Sequence, residues 1–125
     1  MNANQFVSAL VEHVHKSAIQ GVIAQLESPS GRRPPDKSVQ LSRWYAQMSE
    51  QDRTNLHAVV ARAVHSALFG VLCAIDGVRA LRDGTTGHEF QLLSVEQGKV
   101  ERLNQPEDES LHDIYQGIVY PLVLE

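Results

Sequence analysis

The sequence predicts an α+β fold: a long central buried helix packed on a long N-terminal helix, a short aromatic helix, a β-hairpin and a short C-terminal helix. Two observations carry most of this prediction. Apolar residues recur with a helical period over positions 3–27 and 50–76, and a partly alternating apolar pattern brackets a Gln97-Gly98 turn. A chain of 125 residues fits a single domain over 1–125.

The first predicted helix covers positions 3–27. Its inward face is expected to carry the apolar residues at helical spacing, which are Val7, Leu10, Val11, Val14, Ala18, Val22 and Leu26. Gly21 falls on the same face, beside Ala18. Positions 28–37 then contain three prolines and a glycine, which predict a loop.

A short aromatic helix is predicted over positions 39–48, with Ser38 as its N-cap. One face gathers its large side chains, namely Leu41, Trp44, Tyr45 and Met48. Because an aromatic side chain on a helix face is usually part of the core, we expect Trp44 to be buried. The alternative is an aromatic binding edge.

The central helix is predicted over 50–76. Ser49 and Asp52 form a capping arrangement at its start, and Gly77 suits a left-handed C-terminal cap. One broad arc is apolar, formed by Leu56, Val59, Val60, Ala63, Val64, Ala67, Leu68, Val71 and Ala74. The opposite side begins polar and becomes apolar after Ser66, so the second half of the helix is expected to be covered on all sides.

Within the apolar arc runs a line of small residues, formed by Ala63, Ala67, Gly70 and Ala74. Glycine inside a helix costs about 1 kcal/mol relative to alanine, so a close helix contact would have to offset it. We therefore expect the 18–21 turn of the first helix to cross this line tightly. A transmembrane helix is the alternative, but Arg62 and His65 are costly in a bilayer, and no membrane partner is predicted.

Beyond the central helix, a β-hairpin is predicted at about 89–95 and 99–103. A lone hairpin is marginal in water, so it is expected either to lie on the helices or to gain a third strand, from 78–82 or from the C-terminal tail. Positions 82–87 are predicted as a loop. Pro106 and the acids after it open a helix over 107–116, ended by Gly117, and the apolar tail 117–125 is expected to dock on this domain or on a second copy.

Composition limits the compartment and the partners. The net charge of −4 gives no electrostatic reason to expect nucleic acid. Cys73 is the only cysteine, so no intrachain disulfide can form. The first residues lack the basic and apolar regions of a secretory signal, and a cytoplasmic location is expected.

The sequence contains no recognisable motif for metal or cofactor binding. No two histidines have the His-x-x-x-His spacing, and neither a phosphate-binding glycine loop nor a nucleophile elbow occurs. Cys73 lies in the most apolar half of the central helix, where a buried thiol is unreactive. We therefore expect no cofactor and no metal, and we assign no catalytic residue.

One candidate polar seam can be assembled, along the polar back of the central helix and just beyond its cap. It consists of Arg62, His65, Asp76, Arg79, His112 and Asp113. Because buried charges require partners, the seam is interpreted as an ion-pair latch that holds the C-terminal half on the central helix. In the catalytic alternative, His65 or His112 acts as a general base oriented by an acid.

Several short segments together resemble a group of small bacterial proteins of unassigned function. These are Trp44-Tyr45, Ser49 to Asp52, His65-Ser66-Ala67-Leu68-Phe69-Gly70, Asp76-Gly77-Val78-Arg79 and Leu111-His112-Asp113-Ile114-Tyr115. The likeness covers roughly positions 40–116. It implies a bacterial cytoplasmic α+β domain and transfers no catalytic residue.

The function expected from these patterns is non-enzymatic protein–protein interaction, either with a protein partner or through self-association. Small acidic bacterial proteins often neutralise a toxin, so an immunity- or antitoxin-like role is the concrete hypothesis, by analogy alone. Two alternatives stay open. One is a small enzyme or small-molecule-binding protein with its site at the polar seam, and the other is a homodimeric structural subunit.

Overall fold

The structure is a computed structural model that describes residues 1–81 and 89–125. It confirms the α+β class, because the described residues form five α-helices, one π-helical segment and a two-stranded antiparallel hairpin. The loop predicted over 82–87 lies outside the described residues, as does the last position of the candidate strand 78–82. Positions 78–81 form no strand.

The first helix runs through the predicted range, but its middle is wound more widely than an α-helix. Its three parts are α1 (Ala3–Leu10), a π-helical segment (Val11–His15) and α2 (Lys16–Glu27). The Lys16 N–H donates to the carbonyl of Val11, five residues earlier, which defines a π turn. This turn brings His15 into the core, whereas Val14 and Val22, predicted to face inward, are exposed.

The aromatic helix α3 (Asp36–Ala46) begins earlier than predicted. Pro35 is its N-cap residue, and Asp36 lies at the positive end of the helix dipole, so Ser38 is inside the helix and does not cap it. Tyr45 is buried, but Trp44 is 48% exposed, and its predicted place in the core is wrong. The helical period identifies the apolar face of this helix. It does not show which of the two adjacent residues, Trp44 or Tyr45, the neighbouring helices cover.

The long helix α4 (Glu50–Ile75) matches its predicted limits, and the Asp52 N–H donates to the Ser49 hydroxyl at 3.1 Å as a cap requires. Its burial differs from the prediction. Five of its 26 residues are buried, and Val71, in the half expected to be covered on all sides, is 56% exposed. The helix therefore lies at the side of the core and not at its centre.

The tight crossing predicted between α4 and the first helix is also wrong. Gly21 has no neighbour within 4 Å of a Cβ built on it, and Ala67 is exposed. At Gly70 a Cβ would instead meet the guanidinium of Arg79. The reason is that α5 packs against the opposite side of α4, where the larger side chains have more apolar surface to bury than the small-residue line.

The hairpin pairs β1 (Leu93–Glu96) with β2 (Lys99–Arg102), and Val95 opposes Val100. Gln97 and Gly98 both have positive φ, as a two-residue hairpin turn requires. Within the described residues the sheet has two strands, and Asn104 supplies the support expected of a third. Its side chain accepts from the Leu92 N–H and donates to the carbonyls of Ile75 and Phe90, which ties the hairpin to the end of α4.

The last helix, α5 (Leu111–Val123), lies later in the chain than predicted. The stretch after Pro106 forms a turn, with the Asp108 N–H donating to the Gln105 carbonyl, and the helix continues through Gly117 and Pro121. The predicted apolar tail is the end of this helix. It docks on its own chain, because Val119 is fully buried.

The core lies where α1, the π-helical segment, α4 and α5 meet beside the hairpin. Its buried apolar residues are Val7, Val11, Leu72, Leu103, Leu111, Ile114, Tyr115 and Val119. These residues come from four separate parts of the chain, so the core depends on contacts between distant segments. Histidines from three helices lie in or beside this core, separated from one another by aromatic rings.

Candidate functional site

Five rings in contact form a row through the three-helix core, which we call the ring row: His15, Tyr115, His65, Phe69 and His112. Neighbouring ring centroids are 5.7–5.8 Å apart along the whole row. The π-helical segment supplies the first ring, α4 supplies two and α5 supplies two. The row therefore joins all three helices through aromatic packing and, at several points, through hydrogen bonds.

The buried end of the row is a bonded histidine–tyrosine pair. The His15 Nδ1 lies 2.8 Å from the Tyr115 hydroxyl, and the two residues are 2% and 0% exposed. Burial raises the pKa of Tyr115 to about 12. Burial, together with His65 and Lys16 nearby, lowers the pKa of His15, so a neutral imidazole bonds a protonated phenol at neutral pH.

The middle of the row is held by an amide. The His65 Nε2 lies 2.6 Å from the Gln116 Oε1. Because an amide oxygen only accepts, the imidazole donates this bond. His65 also stacks on Tyr115 and on Phe69, with interplanar angles of 16° and 15°. Its ring is therefore held by two stacking contacts and by one hydrogen bond at its edge.

The far end of the row is capped by a carboxylate. One oxygen of Asp76 accepts from the His112 Nδ1 at 2.8 Å and from the His112 backbone N–H at 2.9 Å. Asp76 ends α4, and this second bond satisfies an otherwise free N–H in the first turn of α5. The Ser110 hydroxyl donates to Asp113 instead of capping the helix, so Asp76 serves as the cap from another element.

The structure brings together part of the predicted polar seam. His65, Asp76, His112 and Asp113 lie along or beside the ring row, and the His112 Nε2 is 3.5 Å from Asp113. Arg62 is exposed. Arg79 lies over Gly70 on a different side of α4.

Sequence reasoning missed His15, Tyr115 and Gln116 as members of this network. The available signal for the first was weak. Val7, Val11 and His15 are buried at equal intervals of four, which is wider than the α-helical period. Tyr115 falls on the apolar side of the predicted C-terminal helix, with Leu111 and Ile114, and it is buried, but that pattern does not show its bond to His15. Gln116 stands at the predicted end of that helix, where the pattern gives no direction.

A groove of about 560 Å³ opens beside the capped end of the row. Asp76, His112, Asp113, Arg102 and Asn104 contribute to its walls. A histidine oriented by a carboxylate can act as a general base when its second nitrogen faces a substrate. Here that nitrogen faces Asp113, and the residues that the structure describes contain no group of three or more potential metal ligands.

A second surface stands out on the opposite side of α4. Val59, Ala63, Ala67 and Val71 recur every four residues and all four are exposed, a set we call the α4 outer face. The two valines are 61% and 56% exposed. An apolar cavity of about 370 Å³ adjoins its C-terminal end, between Val71, Gly70 and Leu81.

In the part of the chain that the structure describes, α4 is also the one helix long and apolar enough to cross a membrane. Core helices of soluble proteins meet the same criterion, and α4 is fastened to its own domain along the ring row. Length and composition alone therefore do not place this helix in a bilayer.

Comparison with known proteins gives no assignment: no protein-family model, curated protein or solved structure matches the chain.

The buried His15 predicts a loss of stability in mild acid. Its folded pKa lies below the ordinary value of 6.5, so the unfolded chain binds the proton more tightly. Its contribution to stability is fully present above pH 6.5 and is lost as the pH falls below that value. The groups facing it are Tyr115 from α5, His65 from α4 and Lys16 from its own helix.

Urea unfolding between pH 7.5 and pH 5 measures this effect. We expect the free energy of unfolding of the wild type to fall more steeply with acid than that of His15→Gln. His13→Gln, which changes an exposed neighbour on the same helix, is the control and is expected to keep the wild-type slope. Equal slopes in the wild type and His15→Gln would contradict the assignment to His15.

Proposed function

We propose that this chain is a non-enzymatic protein–protein interaction protein that docks through the α4 outer face. The observation that carries the proposal is the row of apolar residues left uncovered on a helix whose other side is packed. Each valine moved from this exposure to full burial contributes roughly 1 kcal/mol or more, so covering the row is favourable. Contiguous exposed apolar surface of this kind marks interaction sites.

The polar seam supports the same view from the opposite side of the helix. Within the described residues, no buried side-chain nitrogen or oxygen lacks a hydrogen-bond partner. The His112–Asp76 bonds join the end of α4 to the start of α5, which is the arrangement of a structural latch. The seam thus has a sufficient role in holding the fold, whereas the α4 outer face has no such role within the domain.

An immunity- or antitoxin-like role in a bacterial cytoplasm is the biological setting we propose for this interaction. It is supported by the small size of the chain and its net charge of −4, and otherwise by analogy.

A second candidate is small-molecule binding or hydrolysis in the groove beside Asp76 and His112, favoured by that groove's volume and by the oriented imidazole. It would require His112 to turn its Nε2 from Asp113 to a ligand.

The test is a co-purification with matched variants. Tagged and untagged copies are expressed together, and every polypeptide retained with the tagged copy is quantified. Val59→Glu places a charge on the α4 outer face, and Val100→Glu does the same on the hairpin at a matched exposure of 63%. We expect the wild type and Val100→Glu each to retain a single polypeptide, either the untagged copy or another protein, at a ratio near 1:1. Val59→Glu is expected to lose that polypeptide. Retention that is insensitive to Val59→Glu, or no retention at all, would overturn the proposal.

A further inference from the structure

Resting on the proposed function, we propose that the partner on the α4 outer face is a second copy of this chain, bound antiparallel about a two-fold axis between Ala63 and Ala67. The argument has four steps, which are the symmetry of the row, its packing geometry, a matching cavity and the distribution of charge.

The α4 outer face is self-complementary when one copy is reversed. Val59, Ala63, Ala67 and Val71 are spaced evenly, with a valine at each end and two alanines between them. In an antiparallel pair centred on this face, Val59 of one copy faces Val71 of the other, and Ala63 of one copy faces Ala67 of the other. A two-fold interface requires this reciprocity, because residue i must contact j while j contacts i.

The packing geometry of the row suits a close helix pair. Residues four apart lie on one ridge of an α-helix, and two such ridges pack at a crossing angle of about −50°, the commonest class in globular proteins. The two central alanines allow the axes to approach at the short end of the usual range of roughly 8–10 Å. The end valines then flank the crossing point and exclude water from it.

The adjoining cavity provides a seat for the end of the second copy. In the antiparallel arrangement, Val59 of the second copy faces Val71 of the first, and Val71 is on the wall of the 370 Å³ cavity. By symmetry each valine at position 59 meets a cavity, and each cavity receives one valine. A parallel pair would instead place the two valines at position 59 against each other, away from both cavities.

The cavity walls also enlarge the contact. The row from Val59 to Val71 extends only about 18 Å along the helix, which is too short by itself for the roughly 800 Å² per partner of a standard interface. Leu81 and Phe90 line the cavity beyond the row and are 67% and 42% exposed. Covering them with the second copy brings the contact toward the size that a stable dimer needs.

Charge does not oppose the pairing, although the chain is acidic. No Asp or Glu occurs between Asp52 and Asp76. Arg62 is beside the α4 outer face and Arg79 lines the cavity at its end, and the two-fold axis places the two copies of each arginine on opposite sides. The acidic residues of α4 therefore lie outside the contact, and the charges at it are these arginines.

The experiment combines solution mass with cross-linking between single cysteine variants. Val59→Cys and Val71→Cys are purified separately, mixed, allowed to exchange subunits and treated with a short bismaleimide. Positions 59 and 71 are about 18 Å apart along one helix, so the antiparallel dimer brings 59 of one copy to 71 of the other and keeps like positions apart. We expect a covalent dimer in the mixture and little in either variant alone. The wild type controls for Cys73, which is buried.

Light scattering of the wild type is expected to give a dimer mass. Val59→Glu should weaken the dimer by roughly 100-fold or more, because a charge would be buried without a partner, while Val100→Glu leaves it unchanged. Circular dichroism verifies that both variants are folded.

Three results would overturn the inference, and each has a different consequence for the proposed function. A monomeric wild type that loses a different co-purified protein on Val59→Glu removes the second copy as partner but keeps the interaction role. Cross-linking within either variant alone contradicts the antiparallel register but still indicates a dimer. A monomer that binds phosphatidylglycerol vesicles through Val59 removes the inference and the proposed function together, in favour of a lipid surface.

Discussion

Replacing Tyr115 by alanine is expected to lower the free energy of unfolding by about 3–5 kcal/mol, the cost of emptying a large aromatic site in a packed core. Tyr115 is fully buried and lies between His15 and His65 in the ring row. Its removal leaves a cavity where three helices meet and also leaves the His15 Nδ1 without its partner. Urea unfolding at pH 7.5, followed by circular dichroism, measures the change.

Tyr115→Phe separates the hydroxyl from the ring. It keeps the packing and removes only the bond to His15, so we expect a loss of about 1–3 kcal/mol, the cost of a buried polar group left unpaired. Tyr120→Phe is the matched control on the same helix, since Tyr120 is 43% exposed and should change stability by less than about 0.5 kcal/mol. If both phenylalanine variants were as stable as the wild type, the His15–Tyr115 bond would contribute nothing to the free energy of unfolding.

Asp76→Ala is expected to cost about 3 kcal/mol, because one carboxylate oxygen serves two donors of the same residue and bonds to a charged acceptor contribute about 1.5–3 kcal/mol each. The Asp76 side chain is 5% exposed, so water cannot replace it without rearrangement. The loss should concentrate in the first turn of α5, where the His112 N–H would have no acceptor. Hydrogen exchange of that amide, together with the global unfolding free energy, gives the readout.

Asp113→Ala is the control for this prediction. Asp113 is one residue beyond His112, but its side chain is 64% exposed and accepts from Ser110 at the surface. We expect it to cost less than about 1 kcal/mol. A similar loss in both variants would mean that general acidity near the helix start matters more than the specific bonds of Asp76.

The elements predicted best from the sequence are those fixed by local chemistry. The Ser49 cap set the start of α4, and the Gln97-Gly98 turn set the hairpin register, since each needs only a few neighbouring residues. The start of α5 was predicted wrongly because it depends on a residue that is distant in the sequence. The acids after Pro106 are a sound local signal for a helix start, but the cap actually used is Asp76, far away in the sequence.

Burial was harder to predict than secondary structure. The apolar arc of α4 was the obvious inward face, yet Val59 and Val71 are exposed while His65 is buried. Hydrophobicity identifies surfaces that are best covered, but not whether the same chain or another partner covers them. The candidate site was only partly predictable for the same reason, because the inward position of His15 depends on a wide turn and on the partner Tyr115.

The π-helical segment has a consequence for how insertions and deletions would act on this chain. Its five-residue hydrogen-bonded turn holds one residue more than an α-helical turn, so it behaves as a single-residue insertion absorbed within a continuous helix. Each residue of an α-helix advances the side-chain direction by about 100°. Deleting one residue from Val11–His15 would therefore close the wide turn into an ordinary α-helical turn and leave α2 in phase with α1. A deletion elsewhere in the first helix would instead rotate the part beyond it by about that angle.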